Sequence, residues 1–278
     1  MFIGRKLLIA TKHKKENVIG PILEKELGVK CFVNTSFDTD TLGTFTGEVE
    51  RKADPLTTAR QKCLLAMAQA NCDLAIASEG SFGPHPTIFF VPADEEFLLF
   101  IDKKNDLEII VREISTATNF KGAEIKSEQE LKDFANAAKF PSHGLILRTN
   151  KADFSAIKKG ITDWETLLGT YRQIVETNGF AYAETDMRAM YNPSRLKVIA
   201  DATQKLAKKI NSHCTQCNTP GFGITEAKSG LPCAFCNFPT RSILSFIYTC
   251  QKCSFTKEEK YPLGKIEENP MYCDVCNP

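Results

Sequence analysis

Eight of the eleven cysteines stand in four Cys-x-x-Cys pairs: Cys214/Cys217, Cys233/Cys236, Cys250/Cys253 and Cys273/Cys276. A two-residue spacer lets one tight turn aim two sulfurs at a single ion, and four thiolates complete a tetrahedral zinc shell. Fifteen residues separate the first two pairs and nineteen the last two, both within the spacing of four-cysteine zinc sites. Taken in chain order, the pairs predict two structural Zn²⁺ ions, one after the other. The competing chemistry is a disulfide framework. Residues 1–15 hold only a short apolar run, residues 7–10, between basic residues and no secretory pattern. Thiolates in a reducing, cytoplasmic setting are therefore expected. Closed four-sulfur shells leave no position for water, which argues against catalytic zinc.

Two further stretches have the residue types for chemistry. Thr11, Lys12, His13, Lys14 and Lys15 lie between a strand pattern and a helix pattern. Helix amides, the helix dipole and the lysines there favour an anion such as a nucleotide or another polyphosphate; a solvated basic helix start is the bland alternative. Residues 78–85, Ser-Glu-Gly-Ser-Phe-Gly-Pro-His, follow an apolar strand. A carboxylate there, Glu79, needs a partner or a metal if buried, and the two glycines let a ligand approach the backbone. Asp54, Arg60 and Lys62 on the preceding helix could reach the same crevice, although N-capping alone accounts for Asp54. One or two carboxylates with substrate phosphates would suit Mg²⁺. His143, beside Gly144, is a candidate proton-transfer group or phosphate ligand. Glu184, Asp186 and Arg188 alternate along an extended segment and suit either metal binding or an ion-pair cluster. Cys31, Cys63 and Cys72 read as small buried hydrophobes.

These groups must be positioned by an alternating strand and helix pattern. Residues 6–10, 29–33 and 73–78 read as strands, with residues 87–91, 97–101 and 107–114 β-rich and the last two of these a hairpin. A polar loop covers residues 34–48. Asp54-Pro55, Ser127 with Glu130, Thr162 with Glu165, and Asn192-Pro193 signal helix starts. The last opens a helix whose polar side carries Arg195, Lys197, Lys205, Lys208 and Lys209, read as a solvated face. The fold class expected is α/β: a mixed sheet flanked by helices, followed by a small C-terminal double zinc-ribbon module. The expected division is an α/β domain over 1–150, a helical connecting region over 151–211, and the double ribbon with two four-cysteine sites over 212–278. In such a sheet, ligands bind beyond the carboxyl ends of the strands, which picks out residues 11–15 and 79–85.

Ala10-Thr11, the run Ala59-Arg60-Gln61-Lys62-Cys63 and the strand ending in Glu79-Gly80 resemble the inosine/xanthosine triphosphate pyrophosphatase superfamily. The resemblance covers roughly residues 6–83 and rests on short motifs in order. It implies a nucleotide-pyrophosphatase-like domain over 1–150, with a phosphate-gripping Thr and Lys, a Mg²⁺-binding carboxylate and nucleotide hydrolysis. Here His13 replaces the family's Asn and Glu16 falls near its Lys, so Lys14 or Lys15 would have to substitute. The whole chain also resembles an uncharacterised bacterial family with a cysteine-rich tail, through phrases such as residues 140–145, 184–189 and 276–278.

The net charge of +1 gives no general reason for nucleic-acid or membrane binding. Residues 212–278 carry six basic and six acidic residues, so the tail lacks a cationic footprint, although its aromatics could stack on bases or dock a protein. The function expected is a Mg²⁺-dependent nucleoside triphosphate phosphohydrolase with a structural zinc tail. The alternative is a non-catalytic nucleotide-binding or zinc-ribbon interaction protein, docking protein or nucleic acid.

Overall fold

The computed structural model describes residues 1–11, 13–34, 53–153 and 157–278. Lys12 and, past Asn34, the polar loop expected over residues 34–48 lie outside the described residues. The chain divides into two compact units, Met1–Ala207 and Lys208–Pro278.

The first unit is built on a five-stranded mixed sheet. Strand β1 (Lys6–Ala10) buries four of its five residues and pairs in parallel with β2 (Lys30–Phe32) and β3 (Leu74–Pro84). Helix α1 (Glu16–Leu27) crosses between β1 and β2 and stops at Gly28, where φ is 66° and the N–H reaches Glu24 O. That left-handed turn suits glycine. Helix α2 (Pro55–Ala70) begins where Asp54 accepts hydrogen bonds from the Leu56 and Thr57 amides, with proline at its first position. It lays Ala59, Cys63, Ala66 and Met67 on Leu8, Ala75, Ala77 and Leu99.

Strands β4 (Pro92–Asp102) and β5 (Leu107–Ser115) extend the sheet antiparallel, giving the order β2-β1-β3-β4-β5. The β3–β4 register is unbroken from Leu74↔Asp102 to Pro84↔Pro92. Residues 79–84 are therefore strand rather than the expected loop, because β4 supplies a ladder partner to each of them. The expected strand over residues 87–91 is instead the turn joining the two, where His85 Nδ1 accepts from the Thr87 and Ile88 amides.

A second sheet of the same unit has the order β6-β9-β7-β8, all antiparallel: β6 (Gly122–Ile125), β7 (Leu145–Arg148), β8 (Ile157–Ile161) and β9 (Ala181–Thr185). Helices α3 (Glu128–Ala137) and α4 (Trp164–Asn178) share its core through Leu131, Phe134, Leu167 and Tyr171. Ser127 caps α3 as expected, but α4 is capped by Asp163, whose carboxylate accepts from Thr166 N at 2.7 Å, and not by Thr162. Helix α5 (Pro193–Asn211) starts at Asn192, whose Oδ1 accepts from Arg195 N. Residues 151–211, read from sequence as a helical connecting region, thus carry β8 and β9 as well as α4 and α5. Among the described residues no helix is long and apolar enough to cross a membrane.

The second unit is a three-stranded antiparallel sheet, β10 (Gly223–Ser229), β11 (Ile243–Thr249) and β12 (Thr256–Lys260), in that order. Its core is small: Phe222 packs on Tyr248 and Phe255 at 5.8 and 6.0 Å between ring centroids, beside Cys214 and Cys250. So little apolar burial needs a metal to hold it.

Candidate functional site

The eight knuckle cysteines gather into two groups of four, Cys214, Cys217, Cys250 and Cys253 in one, and Cys233, Cys236, Cys273 and Cys276 in the other. Within each group the sulfurs all lie within 4.8 Å of one another. Opposed sulfurs stand 3.7 Å (Cys214 to Cys253), 3.5 Å (Cys217 to Cys250), 3.8 Å (Cys233 to Cys276) and 3.6 Å (Cys236 to Cys273) apart. A tetrahedron with Zn–S of about 2.3 Å has edges of about 3.8 Å. The donor set and its size therefore fit two closed zinc shells.

The pairing is interleaved, first with third and second with fourth, which corrects the sequential order expected from spacing. Antiparallel topology imposes it. The first pair precedes β10 and the third follows β11, and the register Gly223↔Thr249 brings those two ends together. The second pair sits in the opposite β10–β11 connection, where Cys233 bridges to Glu268 just ahead of the fourth pair. Each of the first three knuckles closes with a backbone bond from its leading cysteine, Cys214 N to Thr219 O, Cys233 N to Phe238 O and Cys250 N to Phe255 O. Each turn passes through positive φ, at Asn218, Asn237 and Ser254. The Gln216 and Phe235 amides point at the Cys214 and Cys233 sulfurs from 3.4 Å, favouring thiolates.

The remaining candidates meet, in part, at the carboxyl end of β1. Ala75 and Ala77 face α2, and the strand period of two puts Glu79 on that same side. There it forms a buried ion pair with Lys62 of α2. On the opposite side of β3, Lys15 is buried and its Nζ donates to Ser78 O at 3.1 Å and Ser78 Oγ at 2.9 Å. Burial, with Arg195 and Lys62 nearby, pushes the Lys15 ammonium down to about 8, against the pull of Glu96 and Glu79. The Oγ1 of Thr11, next along from Ala10, is buried without a hydrogen-bond partner among the described residues. Lys14 is exposed, with φ of 58°.

Three of the expected residues have local duties. Arg60 pairs with Glu108 of β5, Asp54 caps α2, and His143 caps α5. The Ser194 amide donates to His143 Nε2 at 3.2 Å while the Ser194 hydroxyl lies 2.9 Å from the same nitrogen. Burial, and then Lys139, lowers the pKa of this imidazole from its ordinary value. Glu184 pairs with Arg148. Asp186 grips Arg188, with Nη2 to Oδ2 at 2.6 Å, and also accepts from Gly160 N, so the alternating triplet makes ion pairs in the sheet and its following turn. Cys63 is fully buried; Cys31 and Cys72 are half-buried.

Sequence reading missed Asp94, Glu96 and the placement of Arg195. Arg195 is fully buried, not solvated. Its Nε donates to Glu96 Oε1 at 2.6 Å, its Nη1 donates to Met187 O at 2.6 Å, and its guanidinium stands 5.2 Å over the Phe82 ring. Glu96 lies opposite Gly80 in the ladder. A Cβ at Gly80 would collide with Arg195 Nη2 and Glu96 Oε1, so this glycine makes room for the ion pair rather than for a ligand. Gly83 has open space around it. Asp94 is buried two residues from Glu96, and burial together with Glu96 raises its carboxyl to about 7, opposed by Arg195 and Lys15. The signal available was the alternation Ala93-Asp94-Glu95-Glu96-Phe97, which puts Asp94 and Glu96 on one strand face.

The architecture is that of a mixed α/β unit with a buried polar cluster, joined in one chain to a two-centre cysteine module. The chain belongs to the family described as a domain of unknown function (DUF6671), whose model matches residues 62–278. The match takes in Lys62, Glu79, Asp94, Glu96, His143, Arg195 and all eight knuckle cysteines. No curated protein matches the chain.

Proposed function

We propose that the α/β unit binds the phosphates of a nucleoside triphosphate at the carboxyl end of β1 and hydrolyses it with Mg²⁺, while two zinc ions hold the C-terminal module together. The observation that carries this reading is that two buried cations flank the Ser78-Glu79 segment, Lys62 on the α2 side of β3 and Lys15 on the other. It agrees with the resemblance of residues 6–83 to the inosine/xanthosine triphosphate pyrophosphatases. Lys15 and Lys62 would grip phosphate oxygens, and Thr11 would offer its buried hydroxyl. Phosphate drawing Lys62 away would release Glu79 to accept a proton from the attacking water. Mg²⁺ arriving with the phosphates supplies charge neutralisation at the transferred group.

A second reading, nucleotide binding without turnover, is favoured by the Lys62–Glu79 pair itself, which already satisfies the carboxylate. A nucleotide panel with Mg²⁺, resolving pyrophosphate from phosphate release, separates the two. Under the hydrolase reading, Glu79→Gln lowers turnover about a hundredfold or more, the scale of a lost general base, with zinc content unchanged. Turnover that survives the substitution would remove Glu79 from the chemistry. Binding without any turnover would establish the second reading.

A further inference from the structure

The two cysteine centres share one framework and differ in what they display. In each, a leading cysteine amide closes the first knuckle, on Thr219 O or Phe238 O, and the turn passes through an asparagine at positive φ, Asn218 or Asn237. The centre of Cys214 and Cys250 has polar, exposed spacers, Thr215-Gln216 and Gln251-Lys252. A four-sulfur shell therefore asks for no apolar side chain at these positions. Yet the knuckles of the centre of Cys233 and Cys273 show Phe235 at 81% exposure, Val275 at 56%, Met271 at 64% and Tyr272 at 63%, with Phe238 also exposed. The two knuckles that carry them share one shell, and Asn277 Nδ2 ties down Met271 O at 2.9 Å. Single exposed apolar residues are ordinary, but a group of them round one small centre marks an interaction surface.

Charge says what fits it. Residues 231–242 and 263–278 carry Arg241 and Lys265 against Glu267, Glu268 and Asp274. Arg241 pairs with Asp274 and Lys265 with Glu268, which leaves the acidic excess on exposed Glu267. Four thiolates round one divalent ion leave a further net negative charge. Such a surface repels a phosphate backbone, and an isologous pair of copies would set two anionic centres against each other. A cationic partner is attracted, and the faces of Phe235 and Tyr272 add a cation–π preference for Lys or Arg.

We propose that the centre of Cys233 and Cys273 docks a basic, apolar segment of another protein. Its Leu, Phe or Trp side chains lie against Phe235, Met271, Tyr272 and Val275, and its Lys or Arg side chains meet the acidic excess. Met271, unbranched and adaptable, suits a surface that receives such groups. This surface lies in the second unit, so its success or failure leaves the hydrolase reading untouched.

The test pans a phage library of random peptides on the full, zinc-loaded chain, then measures the consensus peptide by fluorescence anisotropy. Enriched sequences should combine Lys or Arg with Leu, Phe or Trp, and the same peptide with its cations changed to Glu should not bind. Phe235→Ser and Val275→Ser should each weaken the consensus peptide about tenfold or more, the loss expected when an anchoring side chain is truncated. Gln216→Ser, at the other centre, should leave it unchanged, and added salt should weaken it. Metal content equal to wild type shows that a variant keeps its shells; Tyr272→Ser replaces any variant that does not. No enrichment, an acidic or uncharged consensus, or equal binding by wild type and these variants would overturn the proposal. So would a labelled oligothymidylate, or a dimer seen by sedimentation, that binds through the same side chains and is lost in Phe235→Ser, since the occupant would then be nucleic acid or a second copy.

Discussion

At the scale of single residues, the charge cluster at the end of β1 makes stability depend on pH in a definite direction. Lys15 titrates near 8 in the folded chain against 10.5 ordinarily. Between those values the unfolded state binds more protons, so stability rises with pH across the window, and the penalty is fully present below about 8. The shift corresponds to roughly 3 kcal/mol. Lys15→Met should remove this slope, and denaturant titrations of both proteins at pH 7 and pH 10 would show the gap between them changing sign or shrinking. A pH-independent gap would mean that Lys15 is better solvated than its burial implies. Gly80 makes a second residue-scale test. Gly80→Ala should destabilise by about 1–3 kcal/mol, the usual range for forcing atoms into a packed site, because the added methyl meets the Arg195–Glu96 pair. Ser81→Ala, one residue along and half-buried, should be nearly silent.

At the scale of elements, α5 is held at its start by two side chains from different parts of the chain. Asn192 Oδ1 takes the Arg195 amide and His143 Nε2 takes the Ser194 amide. Removing either should cost about 1 kcal/mol, and the more informative variant is His143→Ala. It should lower thermal stability and leave any nucleotide turnover unchanged; a lost turnover would restore His143 to the chemistry. Local signals of this kind were legible in the sequence: Asp54-Pro55, Ser127 and Asn192-Pro193 each start the helix they announce, since a cap depends on the next three residues. What was not legible depended on partners far along the chain. Glu79-Gly80 looked like a loop because a carboxylate and a glycine are poor strand residues, yet Lys62 and Arg195 supply the reasons for both. Arg195 read as one more cation on a basic helix face until Glu96, on a distant strand, gave it a buried partner. The Asp94–Glu96 alternation was visible in the sequence, but nothing local indicates that the face is buried.

At the scale of the whole molecule, the C-terminal unit is built round two four-cysteine groups that could each hold a zinc ion, and the α/β unit round its own apolar cores. Cysteine spacing identified eight ligands and two sites, but it could not say which pairs meet, because antiparallel β10, β11 and β12 decide that and separations along the chain do not. Metal analysis should find two zinc ions per chain, and a value near one would contradict the geometry. Cys217→Ser should empty the centre shared with Cys250 and Cys253. Because Cys250 and Cys253 lie between the ligands of the other centre, the loss should loosen that one as well. Chelation should melt the β10–β12 sheet while the fluorescence of Trp164, in the α/β unit, stays near its native value. A simultaneous collapse of both signals would mean that the two units do not fold independently.

The interleaved pairing also sets a schedule during synthesis. The first sulfur shell is complete once residue 253 has been made, before Cys273 and Cys276 exist. Cys233 and Cys236 gain their partner pair only when Cys276 has been added, after β12. Sequential pairing would have closed that pair into a shell as soon as Cys236 appeared. The second centre is therefore the last part of this unit that can close.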